Sequence, residues 1–188
     1  GCSSLTSVSL GKALVSLGRD AFKGCSSLSS LRVESAIVER DCPYEKRYTD
    51  SFVSRYFSDQ KKDRLEEVYI GGAATRIGNY AFRGSGVENV TIGDSVTSIE
   101  GNAFGYCSSL ASVTIPDSVT TIGGYSFYKC SSLASITIGS GVTSIGEEAF
   151  WGAALVKNLT LPASVTSIGS RAFFGCSSLT STAIPDSV

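Results

Sequence analysis

The segments CSSLASVTIPDSVTTIGGYSFYK, residues 107 to 129, and CSSLASITIGSGVTSIGEEAFWG, residues 130 to 152, repeat the same apolar positions 23 residues apart. A period in the twenties commits a chain to a stack of short coils, because one such unit cannot cover its own apolar side chains and must bury them against its neighbours. The first copy is anchored by Leu110, Val113, Ile115, Val119, Ile122 and Phe127, the second by Leu133, Ile136, Ile138, Val142, Ile145 and Phe150. Leu5, Val8, Leu10, Leu14, Leu17 and Phe22 form an earlier turn, Val156, Leu159, Leu161, Val165, Ile168 and Phe173 a later one, and residues 65–82 and 87–104 supply two more.

Within each unit LxxVxI reads as a strand, Pro-Asp-Ser or Gly-Ser-Gly as a tight turn, VTxI as a second short β-branched strand, and a Gly-led stretch carrying Ala-Phe as a helical turn. Parallel stacking at about 4.8 Å per coil predicts a β-rich solenoid of about eight 23-residue repeats, near 40 Å long, with short parallel strands and one helical turn per repeat. Residues 1–188 are expected to form this single solenoid, interrupted by a charged and aromatic insertion at about residues 39–62. The chain opens at GCSSL and closes at IPDSV, both inside the motif, which predicts a segment of a longer chain.

The composite pattern SSLxSVTIPxSVTSIGxxAFxGC resembles the BspA-type leucine-rich repeat, also called the Treponema pallidum type, over nearly all of the chain outside residues 35–64. The resemblance implies a right-handed leucine-rich-repeat coil. It also implies a surface-exposed or secreted protein of a bacterium or protist, engaged in adhesion or in binding a host protein. It transfers no catalytic residue, because the motif consists of core positions. Departures are local: RGSGV at 83–87 replaces Cys-Ser-Ser-Leu and is one residue short, GAALV at 152–156 lacks the cysteine, and Thr182 stands at an apolar anchor position.

The remaining chemistry is sparse. Sixteen basic residues against 17 acidic ones, with no one-sided cluster, argue against a nucleic-acid partner. No apolar run approaches the roughly 20 residues that cross a bilayer, so this segment is not expected to insert in a membrane. The absence of histidine removes the commonest base for a serine or cysteine nucleophile, no CxxC spacing marks a metal, and no cofactor is expected. Cys2, Cys25, Cys107, Cys130 and Cys176 share one repeat position and read as a column of small buried thiols, with Cys42 apart in the insertion. Two threonine columns, Thr91, Thr114, Thr137, Thr160 and Thr97, Thr120, Thr143, Thr166, read as solvated sheet faces. The sequons at Asn89 and Asn158 fall at one repeat position, in mid-strand.

The insertion is the main break in the monotony. Residues 41–64, DCPYEKRYTDSFVSRYFSDQKKDR, hold eleven charges and five aromatic rings. Phe52, Val53, Tyr56 and Phe57 have the spacing of one helix face, with Thr49 or Asp50 as a cap, and Phe57 is placed to stand in for the missing Ala-Phe anchor. The other aromatics are expected at the surface beside Arg40, Lys46, Arg47 and Arg55. Tyr and Arg dominate interface hot spots, which makes Tyr44, Arg47, Tyr48 and Arg55 candidate contacts with a protein partner. Arg32, Glu66, Tyr69 and Glu88, where later coils carry Ala, Ser and Thr, extend the candidate patch. The expected function is a non-enzymatic protein-interaction or adhesion module holding a protein or surface ligand. A structural or linker subunit of a large assembly is the alternative, and a repeat scaffold attached to a catalytic domain elsewhere is the third.

Overall fold

A computed structural model describes residues 1–39, 51–57 and 65–188. Four-residue strands β1 (Ser7–Leu10), β2 (Ser30–Val33) and β3 (Glu67–Ile70) come first, and from β4 (Arg76–Ile77) onward two-residue strands alternate with the long ones. β5 (Asn89–Ile92), β7 (Ser112–Ile115) and β9 (Ser135–Ile138) continue the long set, and β6 (Ser98–Ile99), β8 (Thr121–Ile122), β10 (Ser144–Ile145) and β11 (Ser167–Ile168) the short one. The long strands form one parallel sheet in the order β1-β2-β3-β5-β7-β9, the short ones a second in the order β11-β10-β8-β6-β4. The molecule is thus a parallel β-solenoid of about six full turns, fewer than the eight repeats expected. The strand position of the later coils survives only as a bridge between Asn158 and Ser181.

Register follows the repeat. Ser7 pairs with Ser30 and Ser112 with Ser135, one period of 23 apart, while Ser30 pairs with Glu67, 37 apart, so the second coil carries 37 minus 23, or 14, extra residues. Glu67 pairs with Asn89 at 22, absorbing the residue missing at RGSGV without moving any side chain to the wrong face. Alternation does the rest: Val8, Leu31, Val68, Val90, Val113 and Ile136 point inward and are buried, as are Leu10, Val33, Ile70, Ile92, Ile115 and Ile138.

The third side of each coil is where the helical turn was expected, and the structure places a run of tight turns there instead. Alternate amides explain it. Those of Tyr80, Phe82 and Gly84 donate to Gly101, Ala103 and Gly105 of the next coil, while those of Ala81, Arg83 and Ser85 close local turns onto Gly78, Tyr80 and Phe82. A helix would keep every amide inside its own segment. Here half of them bind coil to coil, and left-handed residues at Tyr80 (φ 61°) and Gly84 (φ 67°) interrupt the helical path.

On the inner side of these turns the phenylalanines stack. Phe82, Phe104, Phe127, Phe150 and Phe173 follow one another at 5.2–5.5 Å with planes within 11°. The insertion is stitched into the same column by α1 (Phe52–Tyr56), capped by Ser51, whose hydroxyl accepts from the Ser54 amide at 3.1 Å. Ser51, not Thr49 or Asp50, is therefore the cap. Phe57 stacks on Phe22 at 5.1 Å and 11°, taking the place of the repeat phenylalanine, and Phe52 bridges from Phe57 to Phe82. Phe52 and Tyr56, expected at the surface, are buried, because α1 turns both into this column.

Candidate functional site

Polar side chains along the stack are mostly committed to joining coils. Thr97, Thr120, Thr143 and Thr166 each donate a hydroxyl to the carbonyl of the equivalent residue one coil back, at 3.0–3.2 Å. That gives this threonine column a structural duty. Ser118 and Ser164 do the same for Val96 and Val142. The thiols of Cys107, Cys130 and Cys176 donate to the carbonyls of Phe82, Phe104 and Phe150. Burial pushes Cys107 up from 9.0 to about 11 and raises Cys130 and Cys176 as well, which leaves these sulfurs protonated and poorly nucleophilic. The five repeat cysteines are free thiols. Cys25, Cys107 and Cys130 are buried, Cys176 is half-buried, and Cys2 is exposed in the first coil, so the column is buried only where coils cover it.

The outward face of the long-strand sheet differs from coil to coil. Along one in-register row it reads Ser9, Arg32, Tyr69, Thr91, Thr114 and Thr137. Arg32 lays its guanidinium 3.8 Å from the centre of the Tyr69 ring, and its Nε meets Glu34 Oε1 at 2.6 Å. A planar guanidinium stacked on a ring and held by a carboxylate has a fixed orientation, and the Arg32 side chain stays half exposed. Tyr69 lies along the sheet because Gly71 and Gly93 leave room: a Cβ at either would stand within 2.9 Å of the phenol oxygen. Ser30, Arg32, Glu67, Tyr69, Asn89 and Thr91 line an open cleft of about 320 Å³.

Glu66 and Glu88 are exposed one residue before β3 and β5, on adjacent coils. Their carbonyls join neighbouring coils, Asn89 N–H donating to Glu66 and Ala111 N–H to Glu88. Arg55 is elsewhere. It sits half-buried on α1, and its carbonyl accepts the amide of Asp20 on the turn side. Of the sequence candidates, then, Arg32 and Tyr69 share one sheet face, Glu66 and Glu88 are exposed one residue before its strands, Arg55 lies on α1 at the turn side, and Tyr44, Arg47 and Tyr48 lie outside the described residues. Glu67 and Asn89, which stand at a position that is Ser in sibling coils, form the cleft's second row and are legible in the sequence by that departure. Among the described residues no helix is long and apolar enough to cross a membrane.

In-register parallel coils, a stacked phenylalanine column and a solvent-facing sheet whose variable side chains cluster on three adjacent coils define a leucine-rich-repeat solenoid. The chain belongs to the BspA type leucine-rich repeat family, whose model matches six copies over residues 1–41 and 56–188. It is similar to the leucine-rich repeat protein of T. pallidum, TpLRR (TM-score 0.62, 27% identity, 78% of this chain and 72% of that one). It is also similar to the pneumococcal vaccine antigen PcpA (TM-score 0.60, 26% identity, 65% of this chain and 31% of that one). A leucine-rich cell surface protein of Faecalibacterium prausnitzii A2-165 aligns at TM-score 0.52 and 27% identity over 82% of this chain and 42% of that one. The chain thus spans less than half the length of the last two. None of the curated protein sequences matches it. Membership in this family points to a protein-interaction or adhesion repeat.

Proposed function

We propose that the chain is a non-enzymatic binding module that holds a protein ligand against the long-strand sheet, through Arg32 and Tyr69 with Glu66 and Glu88 as further contacts. The observation that carries this reading is the Arg32–Tyr69 stack, set in a row whose other members are Ser9, Thr91, Thr114 and Thr137. Sheet packing does not need it, since the small residues satisfy the same positions in neighbouring coils. An oriented guanidinium over an aromatic ring is what interface hot spots are built from. The pneumococcal antigen and the cell-surface protein among its structural relatives support an extracellular setting for such contacts.

The test is capture of protein ligands by the immobilised chain, compared with an Arg32→Ala, Tyr69→Ala double variant. The expected outcome is loss of the captured proteins with a thermal midpoint within a few degrees of wild type, since Arg32 is exposed and Tyr69 only half-buried on the outward face. Undiminished capture removes the sheet face as the site. Replacing Tyr44, Arg47 and Tyr48 with Ala in a separate variant asks whether that segment adds to the same contact.

A further inference from the structure

The turn side of the solenoid carries a second row of rings, on the outside. Tyr106 and Tyr128 stand 5.2 Å apart, Tyr128 and Trp151 5.9 Å, and Trp151 and Phe174 4.4 Å, with Tyr125 flanking Tyr128 at 5.6 Å. Tyr106 is 38% exposed and Phe174 58%. We propose that this ladder is a binding surface for a proline-rich peptide segment bearing an acidic residue, centred on Tyr106, Tyr128 and Trp151 and separate from the sheet face.

The backbone under Tyr106 and Lys129 sets these two positions apart from their siblings in the other coils. Both occupy the position two residues after the repeat phenylalanine, in the left-handed region with φ of 62° and 55°. Glycine fills that position at Gly24, Gly84, Gly152 and Gly175, also with positive φ. Glycine adopts this conformation freely, whereas a residue with a Cβ does so at a cost. At two adjacent coils the chain bears that cost and places a phenol and an ammonium on the surface.

Ring geometry and backbone state select the occupant. The inner phenylalanines are parallel, but the outer rings are tilted by 57°, 45° and 39° to one another, so they form notches and not a flat platform. Notches between tilted rings accept the bulky edge of a pyrrolidine or branched aliphatic group, whereas a sugar face needs a flat ring lying open. The backbone offers no strand edge for pairing. Tyr106 N–H donates to Tyr128, Lys129 N–H to Trp151 and Gly152 N–H to Phe174, while the Tyr128 and Trp151 amides close local turns. A polyproline II segment, whose backbone needs no ladder of partners, suits such a surface. Charge completes the choice. Lys129 Nζ stands 5.6 and 5.4 Å from the Tyr106 and Tyr128 rings, with no carboxylate paired to it among the described residues, and the Arg83 guanidinium carbon lies 4.2 Å from the centre of the Tyr106 ring. An aspartate or glutamate on the peptide would meet this end, with prolines toward Trp151.

Trp151 is the single tryptophan of the chain, so its emission reports on the ladder directly. The probe is a synthetic peptide of alternating Pro-Pro-Leu units ending in Asp, titrated against the whole chain. A saturable emission shift with Kd below about 1 mM is expected, the range of weak peptide docking. Tyr128→Ala should weaken binding by about tenfold or more, as for a central aromatic contact. The decisive variants are Tyr106→Gly and Lys129→Gly, which restore the residue the sibling coils use. They should bind at least about fivefold more weakly with an unchanged or higher thermal midpoint, whereas rings that serve only the fold would lose stability and keep whatever binding exists. No saturable shift up to several millimolar overturns the proposal. So does equal binding of an Ala-for-Pro peptide, or a response to a soluble gluco-oligosaccharide in place of the peptide.

Discussion

At the scale of single residues, repetition turns each position into a comparison with its siblings. Ser126 occupies the small position before Phe127, where other coils carry Ala81, Ala103, Ala149 and Ala172, and its hydroxyl is fully buried with no hydrogen-bond partner. A buried unsatisfied hydroxyl costs about 1–3 kcal/mol, so Ser126→Ala should raise stability by about that amount, measured as a higher urea midpoint at constant m-value. Lower stability would mean that the hydroxyl has a partner after all. Cys107 makes the opposite case. Its folded-state value of about 11 lies above the ordinary 9.0, so the fold holds a proton that the unfolded chain releases. The associated stabilisation is complete below pH 9 and is lost as pH rises from about 9 toward 11. A Cys107→Ala variant should show a shallower alkaline loss of stability over that window. In the native protein at pH 8.5 Cys107 and Cys130 should resist alkylation that modifies exposed Cys2, and all should label once unfolded.

At the scale of elements, α1 shows how a solenoid absorbs an interruption. The second coil departs from its template after Val38, yet the phenylalanine column remains continuous, because Phe57 lies 2% exposed against Phe22 and Phe52 reaches Phe82. Glu39 accepts from the Thr75 hydroxyl and from the Thr75 and Arg76 amides, tying the second coil to the next. Phe57→Ala should cost about 3–5 kcal/mol, as for a buried aromatic that leaves a cavity. A loss under about 1 kcal/mol, read from chemical denaturation, would show that the column does not depend on that ring. Gly141 is constrained in another way. Its Cβ would overlap the carbonyl of Asp117 in the preceding coil, where sibling coils fit Ser95, Ser118 and Ser164.

At the scale of the whole molecule, contacts between neighbouring coils carry the stability, and one coil's removal should preserve the rest. Deleting residues 107–129 joins Tyr106 to Cys130 in phase and removes β7 and β8, leaving β5 to pair with β9 through the same register. The shortened chain should keep a β-dominated far-UV spectrum and unfold cooperatively with a smaller m-value, since less surface is exposed on unfolding. A disordered spectrum would show that the stack depends on longer-range order than nearest neighbours.

What the sequence determined by itself is the stacking period and everything locked to it: the inward anchors, the parallel sheets, the one-residue slip at RGSGV and the place of Phe57. These are legible because burial recurs at each coil and each copy corroborates the others. The tertiary structure alone decided matters that depend on which coil lies beside which. It replaced the helical turn with turns that share amides between coils, turned Phe52 and Tyr56 inward, and separated Arg55 from Arg32 and Tyr69. It also aligned Tyr106, Tyr128 and Trp151, which occupy two different offsets from the repeat phenylalanine and so form no column in the sequence. Only the left-handed path of the turn brings the phenol of Tyr106 beside residues one position out of register with it, and no linear pattern records that displacement.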